Sequence, residues 1–213
     1  YLRVRFSTSH PKDIHDEVLF VMKRNDNIAK HIHLPAQSGN TRILDKMNRT
    51  YSREWYEMKY NRIKEILPGC SVSCDIITGF CSETEDEHKD TLDLLVKCPF
   101  EFSYMYYYSE RPGTLAARKY EDDIPEEIKK RRLSEVISIQ HDVAKKLNKA
   151  QEGKIHSVLI EMQSKKNENE WMGRNEQNIK VIFPKDHYQM GDFVDVLIEK
   201  STTTSLIGKG VSK

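Results

Sequence analysis

The stretch SVSCDIITGF (Ser71–Phe80) predicts a β-strand that ends on a glycine and leads into an acid-rich helix. The same order of strand, loop and helix is predicted to begin at Leu2–Phe6, Ala29–Leu34 and Phe100–Tyr108. Strands that alternate with helices indicate a parallel sheet with the helices packed outside it. Because four such units cannot close a barrel, we expect an α/β domain that is the C-terminal part of a partial TIM-like (β/α) barrel, and of a longer protein.

The helical segments carry apolar residues at helical spacing. Thr41–Leu67 is predicted to form two helices, and Ser52 is expected to begin the second of them. Pro125–Gln151 is predicted to be one long amphipathic helix. Two further helices are predicted at Asp13–Asn25 and Ser82–Val96.

The pattern changes after Gly153, where short apolar stretches are separated by polar turns. About five short strands in this part predict a small β-barrel. The chain is therefore predicted to consist of an α/β domain, residues 1–151, and an all-β domain, residues 152–213.

Composition excludes several classes of protein. The formal net charge of +1 argues against a histone-like binder and against an acidic disordered tail. No apolar run approaches the ~18 residues that a membrane helix needs, and no signal-peptide pattern opens the chain. Four cysteines do not make a disulfide scaffold, so a cytoplasmic protein is predicted.

Parallel sheets bind ligands at the carboxyl ends of their strands, where Gln37 follows one predicted strand and Gly79 closes another, with Asp75 pointing inward within that second strand. Gln37 and Asp75 can bond ribose hydroxyls, and Gly79 lets a ligand approach the backbone closely. Arg49 is able to clamp a carboxylate with two parallel hydrogen bonds. Each has a structural alternative: a polar strand end for Gln37, a buried ion pair for Asp75 and a solvated position for Arg49.

Five motifs occur in order along the chain. They are SHP (Ser9–Pro11), HLPAQSG (His33–Gly39), ILDKMNRTY (Ile43–Tyr51), DIITGFCSET (Asp75–Thr84) and YSERPGT (Tyr108–Thr114). Together they resemble the methylthiotransferase family of radical S-adenosylmethionine (SAM) enzymes, and within it the MiaB-like branch. The part after Gly153 resembles the TRAM domain, a small tRNA-binding barrel of this family.

The resemblance implies a transferase that inserts a methylthio group at C2 of N6-isopentenyladenosine 37 in tRNA by radical SAM chemistry. The implied partner is the tRNA anticodon stem-loop. Two alternatives stay open: the neighbouring branch, which acts on N6-threonylcarbamoyladenosine, and a tRNA-binding module without catalysis. Pro35 and the SHP motif favour the enzyme that acts on N6-isopentenyladenosine over the neighbouring branch.

The resemblance also implies which residues bind the cofactor SAM. They are Gln37, Ser38, Arg49, Asp75, Gly79 and Thr8. Gln37 and Asp75 would hold the ribose, Arg49 the methionyl carboxylate, and Gly79 would lie beside the adenine. Thr8 would face the methionyl group.

The cysteines do not fit the clusters of this family. It holds one [4Fe–4S] cluster with a CxxxCxxC triad and a second with three cysteines of an N-terminal domain. Cys70 and Cys74 have the first spacing, but Cys81 follows seven residues later instead of three. We therefore expect two [4Fe–4S] clusters bound by cysteines outside this chain, and neither metal ligands nor catalytic residues within it.

Candidate substrate-binding residues fall in two places. They are Tyr108 and Arg111 at the end of the last α/β strand, and Trp171, Arg174 and Lys180 around a predicted turn of the TRAM-like part. Trp171 beside Arg174 suits base stacking, although packing in the core is an equal alternative. Nine basic and nine acidic residues in Gln151–Lys213 leave this part without net charge, so charge alone does not indicate tRNA binding.

Two other polar groups favour structural roles. His31 and His33 share one face of a strand, where packing is a more common role than metal binding. The run Lys129–Arg132 is expected to lie on the solvated face of its helix.

Overall fold

The computed structural model describes residues 2–7 and 10–211, so Thr8 and Ser9 lie outside the described residues. The helices are a 3-10 turn at Pro11–Asp13, α1 (Asp16–Arg24), α2 (Thr41–Lys46), α3 (Arg53–Ile66), α4 (Glu85–Lys97), α5 (Leu115–Lys119) and α6 (Glu126–Lys149). The strands are β1 (His31–His33), β2 (Ser71–Thr78), β3 (Phe102–Tyr107), β4 (Ile155–Gln163), β5 (Glu170–Arg174), β6 (Lys180–Pro184), β7 (Phe193–Ser201) and β8 (Leu206–Gly210). None of these helices is long and apolar enough to cross a membrane.

A parallel sheet of order β1-β2-β3 forms the α/β part, as predicted. The segment Leu2–Phe6, predicted as a first full strand, is different. It contributes one parallel bridge, between Val4 and Ile28. Alternation of side chains along a strand explains the two faces of β2. Cys74 and Ile76 are fully buried against the helices, whereas Asp75 lies on the opposite, inner face of the sheet.

Local capping sets the helix boundaries. The Ser52 hydroxyl accepts a hydrogen bond from Trp55 N, which confirms Ser52 as the start of the second helix. Thr84 and Glu87 form a reciprocal capping box at the start of α4. The short helix α5 was not expected, and it begins where the Thr114 hydroxyl accepts from Ala117 N.

The C-terminal part is a closed five-stranded barrel of order β4-β5-β6-β8-β7. Its core is a separate apolar cluster that includes Val158, Val181, Phe183 and Val196. Helix α6 leads from the sheet to the barrel, and Asn148 near its end donates to the carbonyl oxygens of Thr202 and Thr203. A closed barrel leaves no unpaired strand edge in this part.

The barrel is docked to the sheet where β1 and β2 begin. Lys30 N donates to Glu176 O at 2.8 Å, and the Ser71 hydroxyl donates to Gln177 O at 2.6 Å. Strand β2 rises about 3.3 Å per residue, so its carboxyl end at Thr78 lies about 23 Å from this contact. The barrel and the carboxyl edge of the sheet are thus at opposite ends of the strands.

Candidate cofactor and RNA sites

Gln37 lies at the carboxyl edge of the sheet in an unusual backbone conformation. Its φ of 72° is in the left-handed region, which a side chain other than glycine rarely adopts. Gln37 N donates to Asp75 O and Gln37 O accepts from Ile77 N, both at 2.8 Å, so the residue bridges to β2. Such strain is tolerated where the surroundings fix the backbone, and it is common at ligand sites.

Ser38 and Gln37 do not share surroundings. The Ser38 hydroxyl is buried and lies 3.5 Å from the Thr91 hydroxyl of α4, and it accepts from Asn40 N. The adjacent Gly39 N also donates to the Thr91 hydroxyl, at 2.9 Å. Ser38 therefore joins the loop to α4, and its hydroxyl is engaged within the protein.

Asp75 is the charged group on the inner face of β2. One carboxylate oxygen, Oδ2, lies 3.3 Å from His33 Nε2. The structural alternative was an ion pair with an arginine, and the partner in the structure is His33 instead. The side chain is 28% exposed, and the described residues offer no hydrogen bond to its Oδ1. A carboxylate with one oxygen held and one oxygen available suits a ligand with hydroxyl donors.

Arg49 carries a guanidinium that no described side chain pairs with. Burial raises the pKa of Tyr51, and the nearby positive charge of Arg49 opposes this rise. The Tyr51 hydroxyl donates to Pro35 O and Ala36 O, directly before Gln37. Arg49 is thus close to the same strand end and available to an anionic ligand.

Gly79 ends β2 with a φ of +70°, and a Cβ there would lie 2.6 Å from Lys129 Cγ of α6. The glycine is therefore needed for the turn and for close packing of α6. Gly79 N donates to Glu83 Oε2 at 2.6 Å. Glu83 is in turn paired with Arg132 Nη1 at 3.0 Å, and both side chains are nearly inaccessible.

The expectation that Lys129–Arg132 forms a solvated face is wrong for two of its four members. Lys129 and Arg132 are buried, whereas Lys130 and Arg131 are exposed. Lys129 pairs with Asp122 and Arg132 with Glu83. Helical spacing in the sequence could have indicated this burial, because Lys129 and Arg132 lie on the same face of α6 as the buried Val136.

Tyr108 and Arg111 lie in the loop that follows β3. The Tyr108 ring contacts Phe80 with 4.8 Å between centroids, and Lys129 Nζ lies 5.3 Å from its centroid. Burial, with the adjacent Cys81, raises the pKa of Tyr108 to about 12. Arg111 is exposed, and its side chain has no described partner.

Trp171 and Arg174 were expected in a turn, and this is wrong, since both belong to β5. Trp171 is paired with Phe183 and packs against the barrel core, and its Nε1 donates to Tyr188 O. Arg174 is opposite Lys180 on the other face of β5 and β6. The structure brings Arg174 and Lys180 together and keeps Trp171 apart from them.

A cleft of about 760 Å³ lies between the inner face of the sheet and the barrel. Its lining includes His31, His33 and Ser73 on one side, and Arg174 and Lys180 on the other. Arg174 is held by Glu161, with 3.3 Å between Nε and Oε2. The cation pair is therefore near the start of the strands and distant from Tyr108 and Arg111.

The four cysteines are buried free thiols. Burial raises the pKa of Cys70, Cys74 and Cys98 to about 12, and it raises that of Cys81. Iron–sulfur clusters need thiolates, so these residues do not fit cluster ligands. Residues 2–7 and 10–211 contain no group of three or more His, Cys, Asp or Glu side chains placed to hold a metal ion.

Comparison with known families matches both parts of the chain. Residues 1–95 match the model of the radical SAM superfamily, and residues 149–211 match that of the TRAM domain. The chain thus carries a segment that matches the radical SAM superfamily and, after it, a segment that matches the TRAM domain. This superfamily uses SAM and iron–sulfur chemistry.

Curated relatives share both parts. Proteins named tRNA-2-methylthio-N(6)-dimethylallyladenosine synthase are 54% identical in Amoebophilus asiaticus, 49% in Flavobacterium psychrophilum and 47% in Bacteroides fragilis. The alignments cover 98–99% of this chain and 43–46% of those proteins. The chain thus spans less than half the length of the curated relatives that it matches.

A solved structure supports the fold. Coproporphyrinogen III oxidase (HemN) from Escherichia coli, a radical SAM enzyme, aligns with a TM-score of 0.53 at 17% identity. The alignment covers 95% of this chain and 50% of that one. The predicted α/β fold with a small barrel after it is confirmed.

Proposed function

We propose that this chain is part of a tRNA methylthiotransferase that inserts a methylthio group at C2 of N6-isopentenyladenosine 37; its curated relatives are named tRNA-2-methylthio-N(6)-dimethylallyladenosine synthase. The observation that carries the proposal is identity of about one half over nearly the whole chain, through both the radical SAM and the TRAM segments. Its substrate would be the tRNA anticodon stem-loop, which implies a cytoplasmic enzyme.

The residues at the carboxyl edge of the sheet suit SAM. Asp75 offers a carboxylate oxygen to ribose hydroxyls, and Gln37 is fixed beside it by two backbone hydrogen bonds. Arg49 has a guanidinium that no described side chain pairs with, which suits the methionyl carboxylate, and Gly79 is proposed to lie beside the adenine. Thr8, outside the described residues, and Ser38 are weaker members of the proposed set, since the Ser38 hydroxyl is engaged by α4.

SAM, when bound to a reduced [4Fe–4S] cluster, supplies the radical chemistry of this superfamily. We propose two such clusters, held by cysteines outside this chain, because its own buried thiols do not fit. The contribution of this chain is to bind and orient SAM and RNA.

The RNA is proposed to contact two regions. Tyr108 and Arg111 lie at the carboxyl edge, near the proposed SAM site. Arg174 and Lys180 lie at the barrel end of the cleft, roughly 23 Å away along β2. Trp171, packed against the barrel core, would contribute a ring edge at most. A stem-loop is long enough to meet both regions, and phosphate contacts suit the cation pair.

The experiment is methylthiolation by the purified full-length enzyme, reconstituted with iron and sulfide without oxygen. Its substrates are tRNA with and without the isopentenyl group. Product from the isopentenylated tRNA only is the expected result. Activity on threonylcarbamoylated tRNA instead would reassign the protein to the neighbouring branch. Binding of tRNA without methylthiolation by an enzyme loaded with clusters would overturn the proposal.

A further inference from the structure

Four polar side chains form a row on the inner face of the sheet. They are His31 and His33 of β1 and Ser73 and Asp75 of β2. Ser73 Oγ lies 3.0 Å from His31 Nε2 and 2.9 Å from His33 Nδ1, and His33 Nε2 lies 3.3 Å from Asp75 Oδ2. Three hydrogen bonds thus connect the start of the strands to Asp75.

The chemistry of these groups fixes the direction of every bond. An ionised Asp75 carboxylate only accepts, so His33 Nε2 must carry the proton and donate. The other nitrogen of a neutral His33, Nδ1, then accepts from the Ser73 hydroxyl. Ser73 has its hydrogen committed, so it accepts from His31 Nε2–H.

The protonation state of His31 agrees with this order. Burial is the main cause that lowers the pKa of His31 to about 4, and the positive charges of Arg174 and Arg5 add to it. A neutral imidazole has one N–H, which Ser73 receives.

We propose that His33 is a positioning residue that orients the Asp75 carboxylate for the ribose hydroxyls of SAM. The inference rests on the proposed function, which assigns Asp75 to that ribose. His33 holds Oδ2 and leaves Oδ1 without a bond from the described residues, so Asp75 presents one oxygen in a fixed direction. On the neighbouring strand β3, Tyr104 is in register with Asp75, and its ring packs edge-on against His33 at 6.2 Å.

Groups that orient a ligating side chain commonly change affinity by about ten- to a hundredfold in metal sites. Here the ligand is organic and Gln37 and Arg49 also bind it, so we expect the low end of that range. His33→Phe keeps an aromatic ring and removes both hydrogen bonds, and it should weaken SAM binding about tenfold. His33→Gln can still donate from its amide near the former Nε2, and it should bind SAM within about threefold of the wild type.

The test measures the dissociation constant of SAM for the full-length, cluster-loaded enzyme by anaerobic equilibrium dialysis. His31→Phe is the matched control, since His31 is on the same face of β1 and does not touch Asp75. It should change the dissociation constant less than about threefold. Circular dichroism and iron content establish that each variant is folded and loaded.

A double-variant cycle separates positioning from packing. If His33 acts through Asp75, then adding His33→Phe to Asp75→Ala causes no further loss of SAM affinity. Additive losses would overturn the inference, as would an unchanged dissociation constant for His33→Phe or a His33→Gln variant as weak as His33→Phe. If Asp75→Ala alone binds SAM normally, the assignment of Asp75 in the proposed function fails instead, and the inference with it.

Discussion

The buried pair of Glu83 and Arg132 gives the sharpest stability prediction. Arg132 Nη1 donates to Glu83 Oε2 at 3.0 Å and to Glu83 O at 2.9 Å. The side chains are 0% and 5% exposed for Glu83 and Arg132, so the variant Arg132→Met strands a carboxylate in the interior. Removal of one partner of a buried pair costs about 3–5 kcal/mol.

We expect the low end, about 3 kcal/mol, because Gly79 N still donates to the carboxylate. The neighbouring variant Arg131→Met is the matched control. Arg131 forms two ion pairs, with Glu85 and Glu135, but its side chain is 46% exposed. Surface ion pairs contribute about 0–1 kcal/mol each, so this variant should lose about 1 kcal/mol or less.

The assay is urea denaturation followed by circular dichroism at several pH values. Burial already raises the pKa of Glu83, and loss of Arg132 should raise it further. A carboxyl whose folded pKa lies above its unfolded pKa binds more protons when folded, so stability falls as pH rises between the two. The penalty of Arg132→Met should therefore be larger at neutral pH than near pH 4.5, and Glu83→Gln in that background should recover part of it. Equal small losses for Arg132→Met and Arg131→Met would refute the reasoning.

Three further predictions concern the turn, the row of histidines and the barrel. Gly79→Ala should lower the free energy of unfolding by about 2 kcal/mol, because position 79 has a positive φ and contacts α6. The control Gly69→Ala has open space around it and should change the free energy of unfolding by about 0.5 kcal/mol or less. Urea denaturation measures both variants. An NMR titration of labelled histidine should give His31 a pKa of about 4. Because this pKa is below the unfolded value of 6.5, the stability that neutral His31 contributes is lost as pH falls from 6.5 to about 4, and His31→Gln should reduce that loss. A measured pKa near 6.5 would contradict the burial argument. Lys180→Ala should weaken tRNA binding by the full-length enzyme and reduce its salt slope by about 1, whereas Lys209→Ala, whose ammonium pairs with Glu199, should not; equal slopes measured by filter binding would exclude a phosphate contact from Lys180.

The order of helices and strands in the α/β part could be predicted because it depends on residues close together in the sequence. The break between α2 and α3 follows from Ser52, whose hydroxyl caps the next helix. The two faces of β2 follow from strict alternation around Asp75. The order of elements could therefore be obtained without knowledge of any distant contact.

The errors arose where tertiary contacts decide. Leu2–Phe6 alternates like a strand, yet it forms a single bridge, through Val4. The glycine next to Arg174 suggests a turn, but Gly173 lies within β5. The residue there is a glycine because a Cβ would collide with β4. Period and composition do not contain such information.

The sequence predicts where the candidate site residues lie along the strands, but it does not predict which of them form hydrogen bonds with each other. Gln37 and Gly79 fall at strand ends in the sequence, and the structure has them there, whereas Asp75 lies within β2 beside Gln37. The bond between His33 and Asp75 joins residues 42 positions apart, so only the register of β1 against β2 reveals it. The sequence contains both residues without indicating that they meet.

The most direct test of the proposed function is mass spectrometry of tRNA from cells that lack the full-length gene. We expect loss of 2-methylthio-N6-isopentenyladenosine with accumulation of N6-isopentenyladenosine, and recovery of the methylthiolated nucleoside when the wild-type gene is returned. An unchanged level of the methylthiolated nucleoside in the deletion strain would contradict it.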